Sequence, residues 1–465
     1  MKLSRKYKNY RITLFIFFNV ITIFVFSQNI TMQEKQYGLS KLWSEVTYNF
    51  PYINELDFSI DSLYFSYIYK VSNSQSDLEY YTLLNDFVCQ LHDGHSFVKY
   101  PTYLQNYYYF QIFCTYTNNK FYITSNTFFN NAIVPIGAEI LTINQKKVHD
   151  YIDSVLYPSS PVRPEIRYRY LSEYMLFSSL NDSVFNICLK TTDGLIKNVN
   201  VPAIKNVSEW EHTFFTYPRK DKIEMLEDNI LYISFKDFKS KRTVDSLISR
   251  IDLLDNSIGL IIDLRHCMGG TGYGMCLYKL FTDDTVYNEA YYEHRIIHPY
   301  KRARGLSNYK QVLDSLGITK NNNNYLYYEN QYLEFQKWVE NKVLTLDSIS
   351  ITIEKNEFKF DKPIIILIDE KTASAAELFV IGMQNLTNAI LIGTPSYGSA
   401  GMPLMIPLPN GGMGQITTQK ILYSDGKEFF GLVPDIIIEP TIEQILSKND
   451  TILNYSISKI NELSK

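Results

Sequence analysis

Between residues 31 and 92, apolar and aromatic positions recur at spacings of three and four. The pattern runs over Tyr37–Phe50, Asp61–Val71 and Leu78–Leu91 and predicts three helices. Asp57, Asp61, Ser76 and Asp77 read as helix starts. The last helix leads straight into His92-Asp93-Gly94-His95. From about Tyr107 to Val201 the pattern shortens to alternating segments: Tyr108–Tyr116, Lys120–Ser125, Glu139–Ile143 and Val184–Lys190. Turn signals at Thr117-Asn118-Asn119 and Asp193-Gly194 separate them, so this stretch is strand-rich. From about Lys220 onward, strands at Asn229–Ser234, Gly259–Leu264, Pro363–Ile368 and Ala389–Gly393 alternate with helices at Ser240–Asp252 and Ser374–Gln384. The later strands are too uniformly apolar to show a face to water. That predicts a mixed α/β fold with a layered core whose strands are buried on both faces. Residues 285–357 interrupt this order with many tyrosines and the run Asn321-Asn322-Asn323-Asn324, and they read as a helical insertion with a loop.

The chain length of 465 residues allows roughly two to four domains. The pattern divides into a helical domain over 29–105, a β-rich domain over 106–205, a core over 215–445 and a tail over 446–465. Hydrophobic residues make up 45% and charged residues 20%, an ordinary globular balance. The net charge of -4 is spread along the chain, and no basic stripe points to nucleic acid. Lys2, Arg5, Lys6, Lys8 and Arg11 precede an apolar run from Ile12 to Phe26, followed by Ser27 and Gln28. A basic head, a short apolar run and a small residue at the exit describe a signal peptide over 1–28, so export to the periplasm or the exterior is expected. The same segment left uncleaved would be a membrane anchor. No second run of membrane length follows, and no integral membrane partner is expected. The five cysteines, an odd number without metal-ligand spacing, read as small buried hydrophobes. No pattern in the chain specifies an oligomeric state.

The segment Ile364–Phe379 carries the strongest chemical signal. An apolar strand ends at Ile368, Asp369-Glu370-Lys371-Thr372-Ala373 turns the chain, and Ser374 opens a helix. A hydroxyl there faces free backbone N–H groups and the positive end of the helix dipole, which favour developing negative charge. The small residues Ala373, Ala375 and Ala376 admit a substrate backbone. The same serine also fits a plain helix cap, with Glu377 three residues on as the partner of a capping box.

Thr372-Ala373-Ser374-Ala375-Ala376-Glu377 resembles the nucleophile motif of the C-terminal processing peptidase and tricorn superfamily of serine peptidases. Asp263-Leu264-Arg265 followed by Gly269-Gly270 is similar to the family's second signature, with Cys267 where the family often has Asn. Gly393-Thr394, Gly398, Leu408-Pro409-Asn410-Gly411, Asp425-Gly426 and Gly431-Leu432-Val433-Pro434-Asp435 follow in the family's order. Pro135–Asn144 resembles the closing part of a PDZ-like module, which binds an extended peptide as an added strand. The resemblance implies a crotonase-like ββα protease core, an N-terminal helical domain and a PDZ-like β-rich domain.

It also implies a set of roles. Ser374 is the nucleophile, and the backbone N–H groups of Gly270 and Ala375 form the oxyanion hole. One branch of the superfamily uses a lysine where Ser399 stands here, so a Ser-Lys dyad is not expected. The tricorn-like branch uses His and Glu. His95 occupies the family's histidine position and would act as base. Glu428, three residues before Gly431, would orient it; a surface glutamate beside Lys427 is the other reading of that residue. Tricorn's assisting serine just before the histidine is replaced by Gly94. The implied substrate is a polypeptide, and no cofactor or metal is required. Gly269–Gly274 follows a strand but has neither P-loop nor dinucleotide spacing. A ligand-binding member of the same fold, without catalysis, is the alternative.

Overall fold

The computed structural model describes residues 29–465 apart from 106–107, 110–111, 127–132, 175, 177, 180–182, 203, 206–219, 285, 296–300, 302, 304, 306–309, 311–312, 315–322, 341–342 and 354–356. The proposed signal peptide lies outside the described residues.

The apolar runs of the second half become a six-stranded sheet. Its order is Lys222–Met225, Ile230–Ser234, Gly259–Asp263, Ile364–Ile368, Ile390–Gly393 and Ile436–Ile437. All neighbours are parallel except the first pair. Side chains alternate across a strand, so each strand feeds two cores. Leu231, Ile233, Leu260, Ile262, Ile364, Ile366 and Ile368 face one core, which includes Phe379, Val380 and Met383 of the helix Ala375–Leu386. Ile230, Tyr232, Ile261, Ile365, Leu367 and Ile392 face the other, completed by Ile452 and Ile460. Burial on both faces is why these strands read as unbroken apolar runs.

Ile452 and Ile460 belong to the helix Thr451–Leu463, so the expected tail is a structural layer of the sheet. Its cap Asp450 also bonds the buried Arg265 guanidinium at 2.9 and 2.8 Å, beside Asp263. The expected insertion likewise differs from its sequence reading. It contains the helix Asn323–Val339, but it is framed by two long antiparallel strands, Val286–Arg295 and Leu344–Thr352, the first also paired to Lys420–Leu422. Strand partners about fifty residues apart leave no hairpin signal in the sequence.

The N-terminal helices are Met32–Asn49, Ile60–Ser72 and Asp77–Cys89, capped by Thr31, Ser59 and Ser76. Such caps are worth ~1 kcal/mol each. Their core, with Leu39, Leu42, Tyr80, Tyr81 and Phe87, extends onto Ile406, Leu408 and Ile416 of the hairpin Pro403–Pro407/Met413–Thr417. Strand Phe97–Lys99 pairs with that hairpin, Phe97 opposite Gln415. The histidine loop is thereby stapled to the segment that follows Gly401.

The β-rich region is a sheet in the order Ile112–Thr117, Lys120–Asn126, Glu139–Ile143, Val184–Lys190 and Ile196–Pro202. Its core includes Ala373 and Tyr397, so it packs directly on the nucleophile turn. The helix Arg167–Tyr174 lies against the edge strand Ile112–Thr117. Cys114 Sγ donates to the Ser172 carbonyl at 2.8 Å, and the Tyr116 and Tyr168 rings are 5.5 Å apart.

Candidate active site

Ser374 sits between strand Ile364–Ile368 and helix Ala375–Leu386 with φ 58° and ψ -125°. A side-chain-bearing residue rarely adopts positive φ, and such a conformation costs about 1–3 kcal/mol unless its surroundings impose it. The surroundings here do. Ser374 N–H donates to Ser399 O and to Glu377 Oε2, both at 3.0 Å. On the preceding side, Ala373 N–H is held by Cys267 O at 3.0 Å, and Thr372 O accepts from Tyr397 N at 2.9 Å. The turn is fixed through the N–H and C=O groups of its backbone, and the Ser374 side chain shares a capping box with Glu377. It is left half-buried at the N-terminus of a helix, as a strained nucleophile elbow leaves its serine.

The Gly269-Gly270 loop lies over this helix end. A Cβ on Gly269 would come within 2.6 Å of both Ala373 O and Ala375 N. Only glycine lets the loop approach so closely, and its φ of +76° suits glycine as well. Ala375 is the first residue of the helix, so its N–H has no intrahelical acceptor. Gly270 N–H likewise meets no acceptor among the described residues. Ala375 N–H thus adjoins Ser374, and the close approach of Gly269 brings the loop that carries Gly270 to the same helix end. Cys267, at the position where the resemblance leads one to expect Asn, is buried, and burial pushes its thiol up to about 12. It supports the loop through its carbonyl and is not a second nucleophile.

His95 reaches the site from the other side of the chain. Its Nδ1 lies 2.6 Å from the Gly401 carbonyl, and its own carbonyl accepts from Gln415 Nε2 at 2.7 Å. A carbonyl can only accept, so Nδ1 carries the proton and Nε2 presents a lone pair. That is the tautomer a general base requires. Ser374 and His95 make no direct hydrogen bond. They meet through one segment, Tyr397–Gly401, in which Ser399 O holds the serine N–H and Gly401 O holds the histidine. In unliganded sites such catalytic hydrogen bonds are commonly long and close only around substrate.

Glu428 is placed elsewhere. Its Oε1 is 3.7 Å from Lys420 Nζ, and no hydrogen bond joins it to His95. The reason is local. Leu422 and Glu428 face each other across a bridge, and Lys420 is buried, paired with Glu55 and lying over the Tyr52 ring. A buried ammonium needs countercharge, and Glu428 supplies part of it. Burial raises the Glu428 carboxyl, while Lys420 lowers it. The direct partner of the imidazole is the Gly401 carbonyl, which sequence reasoning had no means to find.

Two further residues hold the segment 396–399. Glu377 is fully buried and accepts from Ser396 Oγ, Gly398 N at 2.6 Å, Ser399 N at 3.1 Å and Ser374 N at 3.0 Å. Burial pushes its carboxyl up, and these donors pull it back. Arg163 arrives from the β-rich region and donates to Ser396 O at 2.9 Å and Tyr397 O at 3.0 Å. Its guanidinium lies between Gly398 and Gly431, where added Cβ atoms would come within 2.3 and 2.5 Å of it. Gly398→Ala is therefore expected to destabilise the chain by about 1–3 kcal/mol, since φ is +79° and the guanidinium must shift. A denaturant midpoint measures this, and catalysis should fall with it.

Residues 229–438 match the model of peptidase family S41. A carboxy-terminal-processing protease from Bartonella bacilliformis is 33% identical over 98 residues, 21% of this chain and 23% of that protein. The chain thus spans about a quarter of that relative's length. Mature CPAF superposes with a TM-score of 0.68 at 16% identity, covering 93% of this chain and 97% of the other. A mutant of CPAF gives 0.70 at 15% identity, covering 93% and 98%. These last two likenesses establish the fold. From strand Ile230–Ser234 through strand Ile436–Ile437 the chain is similar to peptidase family S41, within a fold similar to that of CPAF along nearly its whole length.

Proposed function

We propose that this protein is a serine peptidase acting on polypeptides, with Ser374 as nucleophile and His95 as general base. The observation that carries the reading is the strained turn at Ser374, which sets its side chain at a helix N-terminus beside Ala375 N–H. His95 Nε2 takes the serine proton as Oγ attacks the peptide carbonyl, then returns it to the departing amine. Ala375 and Gly270 N–H groups receive the negative charge that develops on the carbonyl oxygen. The Gly401 carbonyl keeps the imidazole in the productive tautomer. The basic and apolar N-terminus supports export of the mature chain.

Incubating the purified protein with a peptide library and sequencing the fragments tests this reading. Cleavage by the native chain, absent from a Ser374→Ala control prepared identically, is the expected result. A library left intact by the native chain over a broad pH range contradicts it and favours a ligand-binding role.

A further inference from the structure

We propose that Asp93 is the carboxylate that serves His95: it binds the histidine loop to the segment supporting Ser374 and balances the imidazolium formed when the serine proton is taken. The proposal deepens the serine peptidase reading and rests on it.

Asp93 lies two residues before His95, in the turn between helix Asp77–Cys89 and strand Phe97–Lys99. Its carboxylate has two hydroxyl donors, one on each oxygen. Ser96 Oγ donates to Oδ2, and Ser399 Oγ donates to Oδ1 at 3.4 Å. Ser96 N–H also donates to the Asp93 carbonyl at 2.8 Å, closing the loop around His95. The Ser96 hydroxyl in turn accepts from Thr417 N at 3.1 Å, which ties the loop to the hairpin. The other arm leads to the nucleophile. Ser399 O accepts the Ser374 N–H, and Ser399 N donates to the Glu377 carboxylate that also holds Ser374. One half-buried carboxylate therefore connects the loop that bears the base to the segment that bears the serine.

Ser399 stands where a Ser-Lys enzyme would place its lysine, and here its hydroxyl points back to an acid. The surroundings leave that acid little other countercharge. His95 faces it from its own loop, Tyr52 from the segment after the first helix, and Tyr397 and Ser399 from the loop after strand Ile390–Gly393. Arg163, Asp57 and His92 share with Asp93 the lining of an adjoining cavity of about 440 Å³. Among the described residues no lysine or arginine forms an ion pair with Asp93. Burial pushes its carboxyl up, and the Ser96 hydroxyl and the charge of His95 pull it back. Glu428, the carboxylate implied by resemblance, faces Lys420 at 3.7 Å and makes no hydrogen bond to His95.

The test is a set of pH–rate profiles on the full-length protein with one cleavable peptide. A carboxylate near an imidazole favours its protonated form, so removing the charge moves the acid limb of kcat/KM to lower pH. Asp93→Asn is expected to lower kcat about 10- to 100-fold with KM little changed; the loss stays below the ~10,000-fold of a triad carboxylate because Gly401 still fixes the tautomer. Its acid limb should move down by several tenths of a pH unit or more. Asp93→Glu should restore the limb and part of kcat. Glu428→Gln should leave the limb in place. Three results would overturn the proposal: wild-type kcat and limb in Asp93→Asn, a loss of kcat with an unmoved limb, or a limb moved by Glu428→Gln and not by Asp93→Asn. If Asp93→Asn does not fold by circular dichroism, Ser399→Ala, which cuts one arm and keeps the charge, is read instead. It should lower kcat several-fold with the limb unmoved, and wild-type kcat there would count against the proposal. If the native protein cleaves no peptide, the peptidase reading itself falls, which a failure confined to Asp93 variants would not imply.

Discussion

Ser374→Ala should abolish peptide hydrolysis, with a loss of kcat on the order of a thousandfold or more, as for triad serines generally. The variant should keep its fold. The N–H bonds to Ser399 O and Glu377 Oε2 come from the Ser374 backbone and survive in alanine. The positive φ of 58° is equally available to alanine, so the strain is unchanged. Unfolding midpoint and circular dichroism should match wild type while turnover disappears. Activity close to wild type would remove Ser374 from the chemistry.

His95→Ala should cost nearly as much, about a thousandfold, because serine without a base is a weak nucleophile at neutral pH. In the native chain the rate should rise with pH along an acid limb that depends on His95. The variant should lose that limb together with its activity. Ser399→Ala gives the contrast. The Ser399 backbone carbonyl, which holds Ser374, remains in that variant, so the loss should be mild by comparison. Severe loss in Ser399→Ala with a harmless His95→Ala would mean that the proton leaves by another route.

Local signals carried much of this site into the sequence. Ser374 was legible because an apolar strand, a polar turn and small residues opening a helix are contiguous. His95 was legible because it follows a helix of clear period and occupies a position a known family marks. The parallel core strands were legible because burial on both faces removes alternation. What was not legible depends on chain segments far apart. The Gly401 carbonyl carries no side-chain signature, so nothing in the sequence marks it as the partner of His95. Glu428 sits at a suggestive spacing, yet the bridge to Leu422 sets it 3.7 Å from the buried Lys420, which needs the charge. Arg163 is 235 residues from Gly398, and only the folded chain shows the guanidinium between two glycines. The strands Val286–Arg295 and Leu344–Thr352 were missed because their pairing spans a Tyr- and Asn-rich stretch. The strip Pro135–Asn144 suggested an open peptide-binding edge, and the helix Arg167–Tyr174 against Ile112–Thr117 became apparent only in three dimensions.

The central claim is that His95 activates a nucleophilic hydroxyl at Ser374. Labelling with a serine-reactive fluorophosphonate, followed by mass spectrometry of the digested protein, tests it most directly because no substrate need be known. The predicted result is a single modification on the peptide containing Ser374, abolished in Ser374→Ala and slowed at least a hundredfold in His95→Ala, within the range for loss of general-base catalysis. No label on the native protein, or label on another serine at an undiminished rate in both variants, would contradict the account.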